Sequence, residues 1–110
     1  MTLPNAEQAV VELTKLRDYC LNPLHSRGRH KARVFAAALG LTMADAEWLR
    51  TQLLAAAQTC EALPAEIDEY GERFNLDCDL RTPSGTATVR SAWIIRTGEA
   101  FPRLTSCYVL

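Results

Sequence analysis

The sequence predicts an α+β domain in which N-terminal helices pack on a C-terminal antiparallel meander sheet of three to four strands. Three observations carry that prediction. Apolar residues recur at helical spacing through the first half of the chain, the period falls to two after Pro64, and turn signals at Pro83-Ser84-Gly85 and Gly98-Glu99 separate the alternating runs. With 110 residues, 48% hydrophobic and 23% charged, the chain has the size and composition of one globular domain. Residues 1–110 are therefore read as a single domain, helical over 12–62 and strand-rich over 66–110.

Taken in order, Ala9-Val10-Val11 is a short β-branched run that suits an opening strand. From Leu13, the residues Leu13, Leu16, Cys20 and Leu21 repeat as one helical face, and Asn22-Pro23 stops the helix because a residue before proline avoids helical dihedrals. A second helix is expected from Gly28 or Arg29 to a left-handed cap at Gly40, burying Ala32, Phe35, Ala36 and Leu39. Thr42-x-x-Asp45 has capping-box spacing and opens a third helix, striped with Ala46, Leu49, Leu53, Ala56, Ala57 and Cys60 and closed by Pro64. Phe74, Leu76, Cys78 and Leu80 then alternate with polar neighbours as a strand. Thr86 to Arg96 follows, with Ala87, Val89, Ser91, Trp93 and Ile95 on one face and Arg90, Ile94 and Arg96 on the other. Leu104 to Leu110 is the last strand.

The totals exclude several classes. No apolar run approaches the ~20 residues of a membrane helix, and Met1 to Gln8 shows neither the basic start nor the apolar core of a secretory signal. Cys20, Cys60, Cys78 and Cys107 are separated by 40, 18 and 29 residues, which matches no C-x-x-C metal or redox motif. The cysteines are expected to be reduced core residues of a cytoplasmic protein with no metal and no cofactor. Walker, zincin and nucleophile-elbow motifs are absent.

Charge is distributed unevenly despite a net of −1. Glu61 to Asp79 holds seven acidic residues against one arginine, whereas Asn22 to Arg33 holds both histidines and four of the twelve Lys and Arg residues. The second stretch lies where a turn hands over to a helix, so backbone N–H groups and cations point the same way. An anion belongs there, and a phosphodiester fits best. Metal-free RNA cleavage needs a base for the ribose 2′-OH, cationic donors for the crowded phosphorane and an acid for the leaving oxygen. His25, His30 and Lys31 supply those residue types, and Arg27 and Arg29 are placed to bind the backbone.

A second cluster is Arg96-Thr97-Gly98 with Arg103, Thr105 and Tyr108. Arg103 and Thr105 share a strand face, with Tyr108 on the opposite parity unless a bulge intervenes. These residues serve either a phosphate or ordinary cross-strand polar pairing. Glu66, Asp68 and Glu69 read as a solvated acidic loop rather than a metal site, and Trp48 and Trp93 as packing residues rather than stacking platforms.

The string Leu21-Asn22-Pro23-x-His25-x-x-Gly28-x-His30-Lys31-Ala32-x-x-Phe35 resembles the signature of an uncharacterised bacterial domain family. Its C-terminal counterpart here is Trp93-Ile94-Ile95-Arg96-Thr97-Gly98-Glu99 through Pro102-Arg103-Leu104, and Leu3-Pro4-Asn5-Ala6 matches as well. Domains with such an opening resemble the C-terminal toxin modules of the barnase/EndoU/colicin/RelE-type ribonuclease fold. The resemblance implies a metal-independent endoribonuclease, with RNA as substrate and a neutralising protein as partner. His30 or His25 would be base or acid, Lys31 with Arg96 or Arg103 the phosphate ligands, and Thr97 an orienting donor. A different class remains open beside it: a non-catalytic protein-binding module of a two-gene bacterial pair, acting through the acidic 61–79 face or an exposed strand edge. One geometric condition separates a site from a charged turn, namely that residues 22–33 face the last two strands.

Overall fold

A computed structural model describes residues 1–110. Four strands, β1 (Ala62–Asp68), β2 (Gly71–Thr82), β3 (Gly85–Arg96) and β4 (Pro102–Val109), form one antiparallel sheet in the order β1-β2-β3-β4. Ahead of them in the chain come α1 (Leu13–Lys15), α2 (Arg29–Leu39) and α3 (Ala46–Thr59). Helix α2 packs over β3 and β4, and α3 lies against β2, so the helical layer covers one face of the sheet. Alternation along the strands dictates this arrangement: Phe74, Leu76 and Leu80 of β2 and Val89 and Trp93 of β3 are buried against the helices. Trp93 is fully buried and donates its indole N–H to Ser91 Oγ at 2.9 Å, which satisfies both polar groups inside the core.

The helices follow their sequence signals with two exceptions. Helix α2 ends where expected, at Gly40 with φ 68°, and the N–H groups of Gly40 and Leu41 return to the carbonyls of Ala36 and Phe35. The Thr42–Asp45 capping box is present, with Thr42 N–H donating to Asp45 Oδ2 at 2.8 Å; a 3-10 turn (Met43–Asp45) then leads into α3. The first exception is Ala36, which is exposed, because α2 buries only Ala32, Phe35 and Leu39. The second is the segment from Leu13, which is a single α-turn that widens into a π-helical turn (Leu16–Cys20) closed by Leu21 N–H to Leu16 C=O at 2.8 Å. Widening by one residue lets Leu16, Cys20 and Leu21 all point inward.

Three other expectations are corrected. Ala9-Val10-Val11 is not a strand but one parallel bridge, Val10 to Arg103, which covers the start of the β4 edge. Strand structure begins at 62 rather than 66, and Pro64 lies inside edge strand β1 instead of closing a helix. Ala62 N–H points outward to Met1 C=O, so the alternation also turns Pro64 to the outer edge, where its missing N–H leaves no ladder bond unmade. Finally, the cysteines are not all reduced. Cys60 at the end of α3 and Cys78 of β2 face the same interlayer space and are joined in a disulfide with a Cα–Cα separation of 6.4 Å, while Cys20 and Cys107 are free and buried. No helix is long and apolar enough to cross a membrane.

A bulge in β4 positions the site. Ala92 pairs with Ser106 but Trp93 pairs with Leu104, leaving Thr105 as the extra residue, its hydroxyl donated to Ala92 C=O at 3.1 Å. The shift places both Leu104 and Cys107 in the core. It also puts Arg103, Ser106 and Tyr108 together on the opposite face, opposite Ile94, Ala92 and Arg90.

Candidate functional site

The turn before α2 is built by its own side chains. Asn22 Oδ1 accepts the Leu24 N–H at 2.9 Å, the local device that lets Asn-Pro reverse a chain. His25 Nδ1 then accepts two backbone N–H groups, from Arg27 and Gly28, at 3.0 Å each. Two donors on Nδ1 fix the neutral tautomer with its proton on Nε2, so the outward atom of His25 is a hydrogen-bond donor. Its ring stacks on Tyr19, with centroids 4.8 Å apart and planes 17° from parallel. Gly28 is required here because a Cβ would run into the Tyr19 carbonyl oxygen.

From this platform α2 sends Lys31 toward the last strand. Lys31 Nζ donates to Ser106 Oγ at 3.1 Å and lies 5.4 Å from the Tyr19 ring centroid and 5.2 Å from that of Tyr108. The ammonium is thus held between two aromatic faces by cation–π attraction and one hydrogen bond, with N–H donors left over. No carboxylate pairs with it, in contrast to three of the five arginines of the sheet: Arg73 bonds Asp68, Arg90 bonds Asp77 and Arg103 bonds Glu99, while Arg81 and Arg96 are exposed. An uncompensated, half-buried cation with a fixed position is the feature an oxyanion needs.

Neighbouring groups extend the cluster. Arg90 grips Asp77 through two bonds of 2.8 Å, which raises the guanidinium above its ordinary value, with Tyr108 as a second partner, and lowers the Asp77 carboxyl. Beneath Lys31 lie the two free thiols. A hydrogen bond from Cys107 brings Cys20 down to about 7 against the opposing effect of burial, and Lys31 helps; Cys107, as the donor in a buried site, is pushed up.

The residues named from sequence therefore separate into two groups. His25, Lys31 and Tyr108 converge, through Tyr19, on the half of the β4 edge that Val10 leaves free. His30 is exposed and makes no side-chain hydrogen bond, about 100° round the helix from Lys31; Arg27 and Arg29 are exposed beside it. Arg29 bonds the Ser26 carbonyl at 2.6 Å. Thr105 is committed to the bulge. Arg96 and Thr97 lie elsewhere, at the end of β3. Thr97 Oγ1 is donated to Glu69 C=O at 2.9 Å, and Arg96 borders an open depression whose rim includes Asp68, Glu72 and Glu99. Arg103 lies between the two groups with its guanidinium doubly bonded to Glu99, at 2.9 and 3.0 Å, and stacked over Phe101. At that end of the sheet the arginines stand beside carboxylates that offset their charge.

Sequence reasoning missed Tyr19, Ser106 and Arg90. Tyr19 sits in the π-turn, whose altered spacing an ideal helical reading places wrongly. Ser106 gains its orientation from the bulge at Thr105, which serine and threonine at 105–106 do not signal.

The family model for a domain of unknown function (DUF6883) matches residues 2–110, so the chain belongs to that family. No curated protein matches the chain.

Proposed function

We propose that this member of the DUF6883 family binds RNA at the Lys31 cluster and cleaves it as a metal-independent endoribonuclease. The observation that carries the reading is the contact between Lys31 and Ser106: the 22–33 segment faces the last strand, with an unpaired ammonium clamped between Tyr19 and Tyr108. Lys31 and the His25 Nε2–H are the donors for a phosphate oxygen. His30, whose ring is exposed and makes no hydrogen bond, is the group free to take the proton of a ribose 2′-OH. The 2′ oxygen then attacks phosphorus, the P–O5′ bond breaks and the 5′ oxygen takes a proton from water, leaving a 2′,3′-cyclic phosphate. Lys31 offsets the charge that accumulates on the phosphorane. Arg103 and Arg96 contribute only to the outer field, since Arg103 is held by Glu99 and Arg96 stands among carboxylates.

RNA as substrate places the action in the cytoplasm, and a toxin of this kind needs a neutralising protein partner. Incubation of the purified protein with single-stranded RNA in EDTA buffer tests the proposal. Cleavage is expected from the natural chain, with a loss of at least ~10²-fold in both Lys31→Met and His30→Ala. Intact RNA with the natural protein refutes it, and so does full activity in Lys31→Met. Expression in bacteria should slow growth, and the His30→Ala chain should not.

A further inference from the structure

The two edges of the sheet are finished differently. On β4 the N-terminal segment closes part of the edge, with Val10 N–H bonded to Pro102 C=O at 2.9 Å and Leu104 N–H to Val10 C=O at 3.0 Å. On β1 the only cover is Met1 C=O on Ala62 N–H, at 2.7 Å, and beyond that point no segment pairs with the outer edge. Every residue from Leu63 to Tyr70 is exposed. Three of them are large and apolar, with Leu63 47%, Ile67 74% and Tyr70 65% exposed. A strand edge of this kind offers a row of main-chain donors and acceptors to another extended chain.

Side chains around the edge state what that chain must carry. Ile67 and Ile95 line an open depression of about 280 Å³ on the sheet, walled by Asp68, Glu72 and Glu99 against the single cation Arg96. Residues 61–72 hold five carboxylates and no Lys or Arg. Asp68 is neutralised by Arg73 and Glu61 lies 3.8 Å from the N-terminal amine, but Glu66, Glu69 and Glu72 have no cationic partner. A second copy pairing β1 to β1 would set these carboxylates against each other, and RNA is repelled for the same reason.

We infer that the β1 edge is a docking surface for an extended segment of a partner protein in which Lys or Arg alternates with apolar residues. The segment adds as a fifth strand beside Ala65–Asp68. An apolar side chain rests on Ile67, and its cations, on the other face of the added strand, meet Glu66 and, in the turn beyond, Glu69. The inference is independent of the ribonuclease reading, because it uses the opposite edge of the sheet and no residue of the Lys31 cluster.

The probe is a capped eight-residue peptide of alternating Val and Lys, titrated into the ¹⁵N-labelled full chain, with alternating Val and Glu as control. Saturable one-to-one binding is expected, with amide shifts concentrated in 62–72 and affinity falling as salt rises. Ile67→Asp and the pair Glu66→Lys with Glu69→Lys should each weaken binding about tenfold while leaving the remaining amide spectrum in place. The inference fails if the Val-Lys peptide does not saturate, if the Val-Glu peptide binds equally, or if the substitutions leave the affinity unchanged. It also fails if the chain itself dimerises through β1, which makes a second copy the occupant.

Discussion

Lys31 differs from Arg73, Arg90 and Arg103 in being held by two aromatic rings and a hydroxyl with no carboxylate partner. The sequence names it as a candidate phosphate ligand from its residue type at a turn-to-helix junction; its contacts with Tyr19 and Ser106 depend on the π-turn and the bulge and were not legible. His25 was legible as important but not in its role. Its sequence position suggests acid or base, whereas the two backbone donors on Nδ1 make it a fixed donor that also shapes the turn. The two histidines should therefore respond differently to removal. His30→Ala is expected to leave the melting temperature unchanged and abolish cleavage. His25→Ala should in addition lower stability by about 1 kcal/mol in denaturant titration, because two backbone N–H groups, that of Gly28 partly buried, lose their acceptor. Gly28→Ala is the steric counterpart. A methyl group there meets the backbone of Tyr19, which has no rotamer to escape into, so a loss of about 1–3 kcal/mol is expected by the same titration.

At the scale of elements, α2, α3, β2 and β3 followed from periodicity and caps because the buried residues of each fall mainly on one face, Ile94 of β3 being the exception. Strand β1 escaped detection for a physical reason: only Ala62 of its seven residues is buried, so no apolar alternation is written into it. The β4 bulge was raised in the sequence only as a condition on Tyr108, since an extra residue leaves no compositional mark when serine and threonine suit either face. The disulfide was missed because 18 residues of separation say nothing of two elements meeting. Yet Cys60 on the α3 stripe and Cys78 on the inward face of β2 were both correctly placed toward the interlayer space. Closing an 18-residue loop restricts the unfolded chain, and Cys60→Ser with Cys78→Ser should cost about 3 kcal/mol in urea unfolding. Titration of the unfolded natural chain should find two reactive thiols and not four.

Over the whole molecule, charge is sorted by edge: a basic turn and Lys31 at the free part of β4, an acidic margin along β1. The uneven distribution was visible in the sequence; that it falls on opposite edges of one sheet follows from the strand order. The ion pairs between these margins govern the acid response. Asp68, Asp77 and Glu99 are each held below their ordinary values by Arg73, Arg90 and Arg103. A carboxyl lowered in the folded state stabilises the fold above its unfolded value of 3.8 (Asp) or 4.5 (Glu), and that contribution disappears as pH falls through the lowered value. Melting temperature should thus begin to fall below about pH 4.5, and less steeply in Asp77→Asn with Glu99→Gln.

The central claim is that the open end of β4 beside α2 takes a phosphodiester. A single-stranded oligodeoxynucleotide, which lacks the 2′-OH and stays whole, can be titrated into the ¹⁵N-labelled chain. Saturable shifts are predicted at Gly28, Lys31, Ser106 and Tyr108, and the slope of log affinity against log salt should shrink by about 0.7 on Lys31→Met. Shifts confined to Arg96, Thr97 and the neighbouring turn, or none at all, would contradict the account.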